Sequence, residues 1–326
     1  MTKRITVKQA INEALSEEME RDERVIIVGC DVGRRGNPFR VTWGLWQKYG
    51  DSRVIDTPLS EEGFTGMALG AAATGMRPIV EILYTDWITL AMDQIVNQIA
   101  KSRYMFGGKL RVPLVIRAPV GVGGGAAAQH SQSFESWFCH VPGLKVVMPS
   151  TPYDVKGLLK AAIRDDNPVI FLEHKRSYEI EGEVPEEEYV LPLGVADVKR
   201  EGKDVTIVAV SLMVHHALAA AERLAQEEGI ECEVVDPRTL APMDWDTLLA
   251  SFKKTNHLVV VHEACRTCGI GAELLAELVE RGFDYLDGRP IRVAGLDVPV
   301  PYNRGLERLV VPDPQRIIDA VHRALD

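Results

Sequence analysis

The chain has 326 residues, 46% hydrophobic and 26% charged, which allows two cores of ordinary size and excludes a disordered or fibrous protein. Its formal net charge of −10 argues against a nucleic-acid or anionic-membrane surface. No apolar run reaches the roughly 18–20 residues that a membrane span needs. Met1-Thr2-Lys3-Arg4 has no apolar stretch behind it, so no signal or transit segment is expected. Five scattered cysteines fit a reduced, cytoplasmic setting better than a disulfide framework.

The first element is a helix, with Thr6 and Gln9 at capping-box spacing and Val7, Ile11, Ala14, Leu15 and Met19 on one stripe. Val25–Val28, ending at Gly29, reads as a buried parallel strand. Further strands are expected over 78–83, 113–117, 144–148 and 168–172, with helices over 63–76, 87–102 and 152–165. From 175 to 193 the chain turns to charge and proline, a linker composition. The alternation then resumes with strands over 204–210, 231–235, 257–262 and 291–294 and helices over 213–228, 244–253 and 270–281. A last helix has Asp313 as N-cap, Pro314 at its first position, and Ile317, Ile318, Val321 and Leu325 on one face. This rhythm gives an α/β protein of two domains with mainly parallel sheets: 1–180, a linker over 181–193, and 194–326.

Several local signals compete. Gly63, Gly66 and Gly70 recur at helical spacing in the 63–76 segment, each costing about 0.5–1 kcal/mol relative to alanine. Either a tightly packed core or the close approach of another backbone or ligand must compensate. Gly121-Val122-Gly123-Gly124-Gly125 resembles a dinucleotide loop, but Leu144–Met148 is followed by Pro149-Ser150 and no carboxylate, so nicotinamide binding is not expected. Cys265-Arg266-Thr267-Cys268 lies between a strand and a helix, where a redox dithiol would sit, and no second pair completes a zinc site. His130, just past the glycine loop, is a candidate catalytic histidine because ligands of open α/β sheets bind near such strand ends. Glu61 and Glu62 open the glycine-alanine helix, where the helix dipole alone accounts for one carboxylate.

Longer segments carry a resemblance over nearly the whole chain: D-T-P-L-S-E-E-G-F-T-G-M-A-L-G-A-A-A-T-G-M-R-P (56–78), D-Q-I-V-N-Q-I-A-K (93–101), A-A-Q-H-S-Q-S-F (127–134), the 142–173 run from P-G-L-K-V-V-M-P-S to F-L-E, and D-V-P-V-P-Y (297–302). The chain resembles the β subunits of heteromeric thiamine-diphosphate-dependent 2-oxo acid dehydrogenases. The resemblance implies a pyrimidine-binding domain followed by a transketolase-type C-terminal domain. It implies an assembly of two α and two β chains, and magnesium and diphosphate held by a G-D-G…N motif of the α subunit. Here Asp287-Gly288 is preceded by Leu286, so that motif is lacking.

By the same resemblance, Glu61 is the glutamate that exchanges a proton with the aminopyrimidine ring, and Leu83 and Trp87 pack around that ring. His130 is the histidine beside the substrate and lipoyl-lysine path. Leu114, Ala162, Ile163, Asp165 and Asn167 form a loop that holds a structural potassium ion, a hard cation suited to oxygen ligands. The implied activity is decarboxylation of a 2-oxo acid with reductive acylation of the lipoyl domain of an acyltransferase core. Pyruvate is the first choice of substrate, then acetoin, then branched-chain 2-oxo acids. Relatives carry a glutamate where this chain has Cys30, and cysteine cannot serve a carboxylate proton relay at neutral pH. Two readings of other classes stand beside this one: a dithiol redox protein using Cys265 and Cys268, and a silent scaffold for α and acyltransferase chains.

Overall fold

A computed structural model describes residues 1–326. The chain divides into two units, Met1–Val120 with Trp137–Leu193, and Gly121–Ser136 with Gly194–Asp326. The glycine loop and His130 thus belong to the second unit, although they fall within the expected first domain.

The first unit contains β1 (Thr2–Thr6), α1 (Val7–Arg21), β2 (Val25–Gly29), α2 (Leu45–Tyr49), β3 (Val54–Asp56), α3 (Glu61–Ala73), β4 (Arg77–Glu81), α4 (Ala100–Met105) and β5 (Val115–Val120). After α5 (Glu135–Cys139), whose first two residues belong to the second unit, come β6 (Lys145–Val147), α6 (Pro152–Arg164), β7 (Val169–His174) and β8 (Glu181–Pro185). Its parallel strands lie in the order β6-β7-β5-β4-β2-β3. Every residue of β2, β4, β5 and β7 is buried, as near-continuous apolar runs require of a sheet covered on both faces. The capping box forms as the spacing demanded: Thr6 Oγ1 accepts from Gln9 N at 3.2 Å, and Gln9 Oε1 accepts from Thr6 N at 2.8 Å.

Two expectations fail here. The helix expected over 87–102 is three pieces: a 3₁₀ segment (Thr85–Ala91), a π segment (Gln94–Ile99) and α4. Thr85, Ile88 and Ala91 are buried at three-residue spacing, which a three-residue turn lines up and an α-helix does not. The expected linker contains β8, which pairs antiparallel with the unexpected β1, Thr2 opposite Pro185 and Thr6 opposite Glu181. In each strand only one residue, Ile5 or Val184, is buried, so the polar and proline content of a two-stranded ribbon masked both.

The second unit holds β9 (Asp197–Arg200), β10 (Val205–Ala209), α7 (Leu212–Glu228), β11 (Cys232–Asp236), β12 (Thr239–Ala241), α8 (Trp245–Thr255), β13 (Leu258–Cys265), α9 (Ile270–Gly282), β14 (Ile291–Gly295), α10 (Arg304–Val310) and α11 (Pro314–Leu325). Its sheet runs β14-β13-β10-β11-β9, parallel except for the edge strand β9. Asp313 caps α11 by accepting from Arg316 N at 2.8 Å. No helix is long and apolar enough to cross a membrane.

Candidate active site

In the first unit the carboxyl ends of β2, β3 and β4 deliver acids to one region, as parallel strands do at a ligand-binding edge. Asp56 ends β3 and accepts from Gly33 N at 2.8 Å. Glu61 opens α3 and is only 6% exposed, and no hydrogen bond ties its carboxyl to the chain. Cys30 follows β2, and its thiol is pushed up by burial and then by the nearby Asp31, Glu61 and Asp56 carboxylates. A thiol so held stays protonated and cannot substitute for a relay carboxylate.

Helix α3 packs against β4 and against the 3₁₀ segment. That packing sets the helix bearing Glu61 beside the 3₁₀ segment bearing Trp87, and Leu83 lies in the short link between β4 and that segment. Leu83 is buried, and Trp87 is half-buried in an aromatic chain with ring centroids 5.1 Å from Tyr84, which lies 5.7 Å from Phe39. The glycine face of α3 is not a packed core. Gly70 meets nothing within 4 Å, Gly66 meets only Gln94, and Met67 on the same helix is 47% exposed.

A buried ionic cluster on the same sheet has no counterpart among the sequence motifs. Arg117 in β5 stands in register with Glu81 in β4, and donates to Glu173 at 2.6 and 2.7 Å and to Glu81 at 2.6 Å. Tyr178 adds a hydroxyl to Glu173 at 2.9 Å, and Asn37 contacts Glu81. Burial opposes the Arg117 charge, yet Glu173 and Glu81 more than restore it. Glu81 is raised by burial despite Arg117. The only signal for this cluster was a charge inside each of three apolar strands.

Leu114, Ala162, Ile163, Asp165 and Asn167 lie at one corner where α6 ends. Leu114 O accepts from Val169 N at 2.9 Å and Ala162 O from Asp165 N at 3.3 Å. Arg77 donates to Ile163 O at 2.8 Å and to Asp165 O at 2.7 Å, and Asp165 Oδ1 accepts from Asn167 at 2.8 Å. The donor set is all oxygen and mostly main-chain. Each carbonyl keeps a second lone pair, and those of Ala162 and Ile163 lie at the negative end of α6. Lys145 already pairs with Asp165 Oδ2, and Arg103 with Asn167 Oδ1.

His130 lies half-buried in the second unit, its N–H 3.5 Å from Ala127 O. The amides of the preceding glycine loop are already engaged: Val122 N donates to Glu263 Oε1 at 2.6 Å and Gly123 N to Glu307 Oε1 at 3.1 Å. Glu135 is buried with Oε2 unpartnered, and burial followed by the Glu263 carboxylate pushes it up to about 7. His262 is sealed between Gly269 and Gly271 and lowered to about 4, chiefly by burial, so it stays neutral. The Cys265 thiol is raised by burial, Asp297 and Glu135, the reverse of an activated dithiol.

Comparisons with known proteins agree on the family. Residues 3–181 match the family model of the transketolase pyrimidine binding domain, and residues 194–317 that of the transketolase C-terminal domain. The chain is 50% identical to the β subunit of acetoin:2,6-dichlorophenolindophenol oxidoreductase from Cupriavidus necator, covering 100% of this chain and 98% of that one. It is 47% identical to the mitochondrial pyruvate dehydrogenase E1 component β subunit of Bos taurus, covering 99% and 91%. A solved split-gene transketolase in an inactive β4 tetramer superposes with a TM-score of 0.80 at 23% identity, over 98% of both chains, which speaks for the fold alone. The chain belongs to the family of β subunits of pyruvate dehydrogenase and acetoin-oxidising enzymes, built from a transketolase pyrimidine-binding domain and a transketolase C-terminal domain.

Proposed function

We propose that this chain is the β half of a 2-oxo acid dehydrogenase component that works with an α chain in an assembly of two α and two β subunits. It takes part in thiamine-diphosphate-dependent decarboxylation and in reductive acylation of a lipoyl domain. One observation carries the reading: Glu61 is a buried acid with no hydrogen-bond partner of its own, at the strand-end edge of a parallel sheet. Its carboxyl oxygens are bonded to nothing in the chain and are not sealed from the surface, so they are open to bonding by a ligand. The aminopyrimidine of thiamine diphosphate, with a ring nitrogen that exchanges a proton, suits such bonding. The bound coenzyme supplies the electron sink for decarboxylation.

This chain's residues then have distinct tasks. Glu61 holds and releases a proton at its carboxyl oxygen against the ring nitrogen. Leu83 and Trp87 give an apolar wall that suits a flat ring and excludes water. His130 donates a proton during acyl transfer to lipoamide. Leu114, Ala162, Ile163, Asp165 and Asn167 would hold a structural potassium ion, for which their oxygen donors are suited. The exposed glycine face of α3 supports a partner surface that a neighbouring chain approaches closely. Magnesium and diphosphate fall to the α chain, since the G-D-G…N motif is lacking here.

Pyruvate and acetoin are both supported as substrates, because relatives named for each match to nearly the same degree. Both deliver a two-carbon unit. Reconstituting the α–β complex and following dichlorophenolindophenol reduction with pyruvate, acetoin and a branched-chain 2-oxo acid separates the three. Turnover of none of them by a loaded complex would defeat the proposal.

A further inference from the structure

We propose that Glu307, aided by Glu263, is a positioning residue for the acyl-transfer step, holding the glycine loop and so fixing the segment that presents His130. The proposal rests on the role given to His130 above.

Gly121, Gly123, Gly124 and Gly125 all have positive φ, so nothing in their own side chains restrains the loop. Restraint comes from two carboxylates. Val122 N meets Glu263 Oε1 at 2.6 Å, Gly123 N meets Glu307 Oε1 at 3.1 Å, and Gly125 N lies 3.4 Å from both Glu307 oxygens. Amides that converge in this way form an anion nest of the kind that elsewhere holds phosphate. Here the protein's own acid fills the nest, which is why a loop with dinucleotide-like composition is engaged internally.

Glu307 is itself rigidly placed. It is 6% exposed and sits one turn into α10. Asn303 caps that helix, accepting from Gly305 N at 2.8 Å and Leu306 N at 3.2 Å. Arg304 donates to Gly124 O at 3.2 Å, and a Cβ on Gly125 would come within 2.9 Å of Tyr302 O. At the far end, Gly121 N donates to Gln132 O at 3.2 Å, so the loop closes two residues past His130. His130 therefore lies between a carboxylate anchor and a main-chain closure. A proton donor displaced by about 1 Å can cost on the order of 10²-fold in rate. Anchoring this loop consequently acts on chemistry at His130, with no contact between Glu307 and substrate.

The test uses the α–β complex loaded with thiamine diphosphate and magnesium. Decarboxylation is read with dichlorophenolindophenol and acyl transfer with an isolated lipoyl domain. Glu307→Ala should lower kcat for lipoyl acylation roughly 10-fold or more. KM for the lipoyl domain should stay within about twofold, and the loss should exceed that in dye-linked decarboxylation by about 10-fold. Glu307→Gln keeps an acceptor oxygen and should recover most of kcat. Adding Glu307→Ala to His130→Ala should cost little further acylation. Hydrogen exchange at the Gly123 and Gly125 amides should quicken in Glu307→Ala and, less so, in Glu307→Gln. This second readout needs only the folded β chain. Full acylation by Glu307→Ala, an equal loss in both half-reactions, or unchanged exchange at the Gly123 and Gly125 amides in Glu307→Ala overturns the proposal. Full acylation by His130→Ala would instead overturn the role of His130, so the two failures are distinguishable.

Discussion

Each unit buries acids in its core, but each compensates them differently. In the first, Glu81 and Glu173 share the guanidinium of Arg117 between adjacent strands. In the second, Glu263 and Glu307 accept from main-chain amides of the glycine loop, and no cation is involved in those bonds. Glu135 has neither kind of partner at Oε2 and keeps its proton to about pH 7. A guanidinium makes three side chains interdependent, whereas amides tie an acid to the backbone conformation of a loop. At Glu135 burial without a cation holds the proton instead. Glu61 is the exception in the first unit, buried yet engaged by nothing in the chain.

The largest effect should follow from breaking the guanidinium arrangement. Arg117→Met leaves Glu81 and Glu173 buried and unpaired, which costs about 3–5 kcal/mol. Removing all three charges with Glu81→Gln, Arg117→Met and Glu173→Gln should restore most of that, because no ion then remains uncompensated. Chemical denaturation of the β chain measures both. If the triple variant is no more stable than Arg117→Met, the interdependence is wrong.

Glu135 gives a smaller effect with a defined pH signature. Its folded-state value of about 7 lies above the ordinary 4.5, so the native state holds the proton more tightly than the unfolded chain. The associated stability is fully present below pH 4.5 and is lost as pH rises through 7. The loss approaches on the order of 3 kcal/mol, since each tenfold change in proton affinity is worth about 1.4 kcal/mol. Glu135→Gln does not titrate, so its stability relative to the parent should improve steadily from pH 4.5 to pH 8. A pH-independent difference between the two would mean that Glu135 ionises normally and that the contrast with Glu263 is misdrawn.

These sites differ in how far the sequence announces them. Thr6 with Gln9, and Asp313 before Pro314, are local devices, and both helix starts form as read. Buried strands announce themselves as apolar runs, so the alternation of strands and helices was legible. Ribbon β1–β8 was not, because pairing across about 180 residues leaves no local trace and each strand buries a single side chain. The same limit applies to the carboxylates. Arg117, Glu263 and Glu307 acquire their partners only through tertiary contact, across 36 to 184 positions. The roles of Glu61, Leu83 and Trp87 came from resemblance rather than from pattern, whereas His130 was already a candidate from its place just past the glycine loop. Burial of Glu61 without a partner is the physical feature that the chain adds to that resemblance.

Glu61→Gln probes the acid that lacks any internal partner. Unlike Arg117→Met it should leave folding nearly untouched, since no ion pair or hydrogen bond is broken. Turnover of the loaded α–β complex should fall about 10²-fold, equivalent to about 2.7 kcal/mol of transition-state stabilisation. Normal turnover would favour the silent-scaffold reading. A large loss of stability would mean that Glu61 is a structural acid like Glu173.

The smallest effect is expected where thiols, not carboxylates, are replaced. Cys265 and Cys268 are exposed, and Cys265 is held protonated by burial and by the acids around it, Asp297 and Glu135. A dithiol acts through its thiolate, and these surroundings oppose one. Changing both to serine removes little buried surface and should shift stability by less than about 0.5 kcal/mol. Decarboxylation and lipoyl acylation by the assembled complex should stay within about twofold of the parent, a difference too small to indicate a lost catalytic group. A collapse of either half-reaction in the double variant, with the fold intact, would bring back the redox reading. The carboxylates of the second unit would then be tuning a sulfur centre rather than ordering a loop.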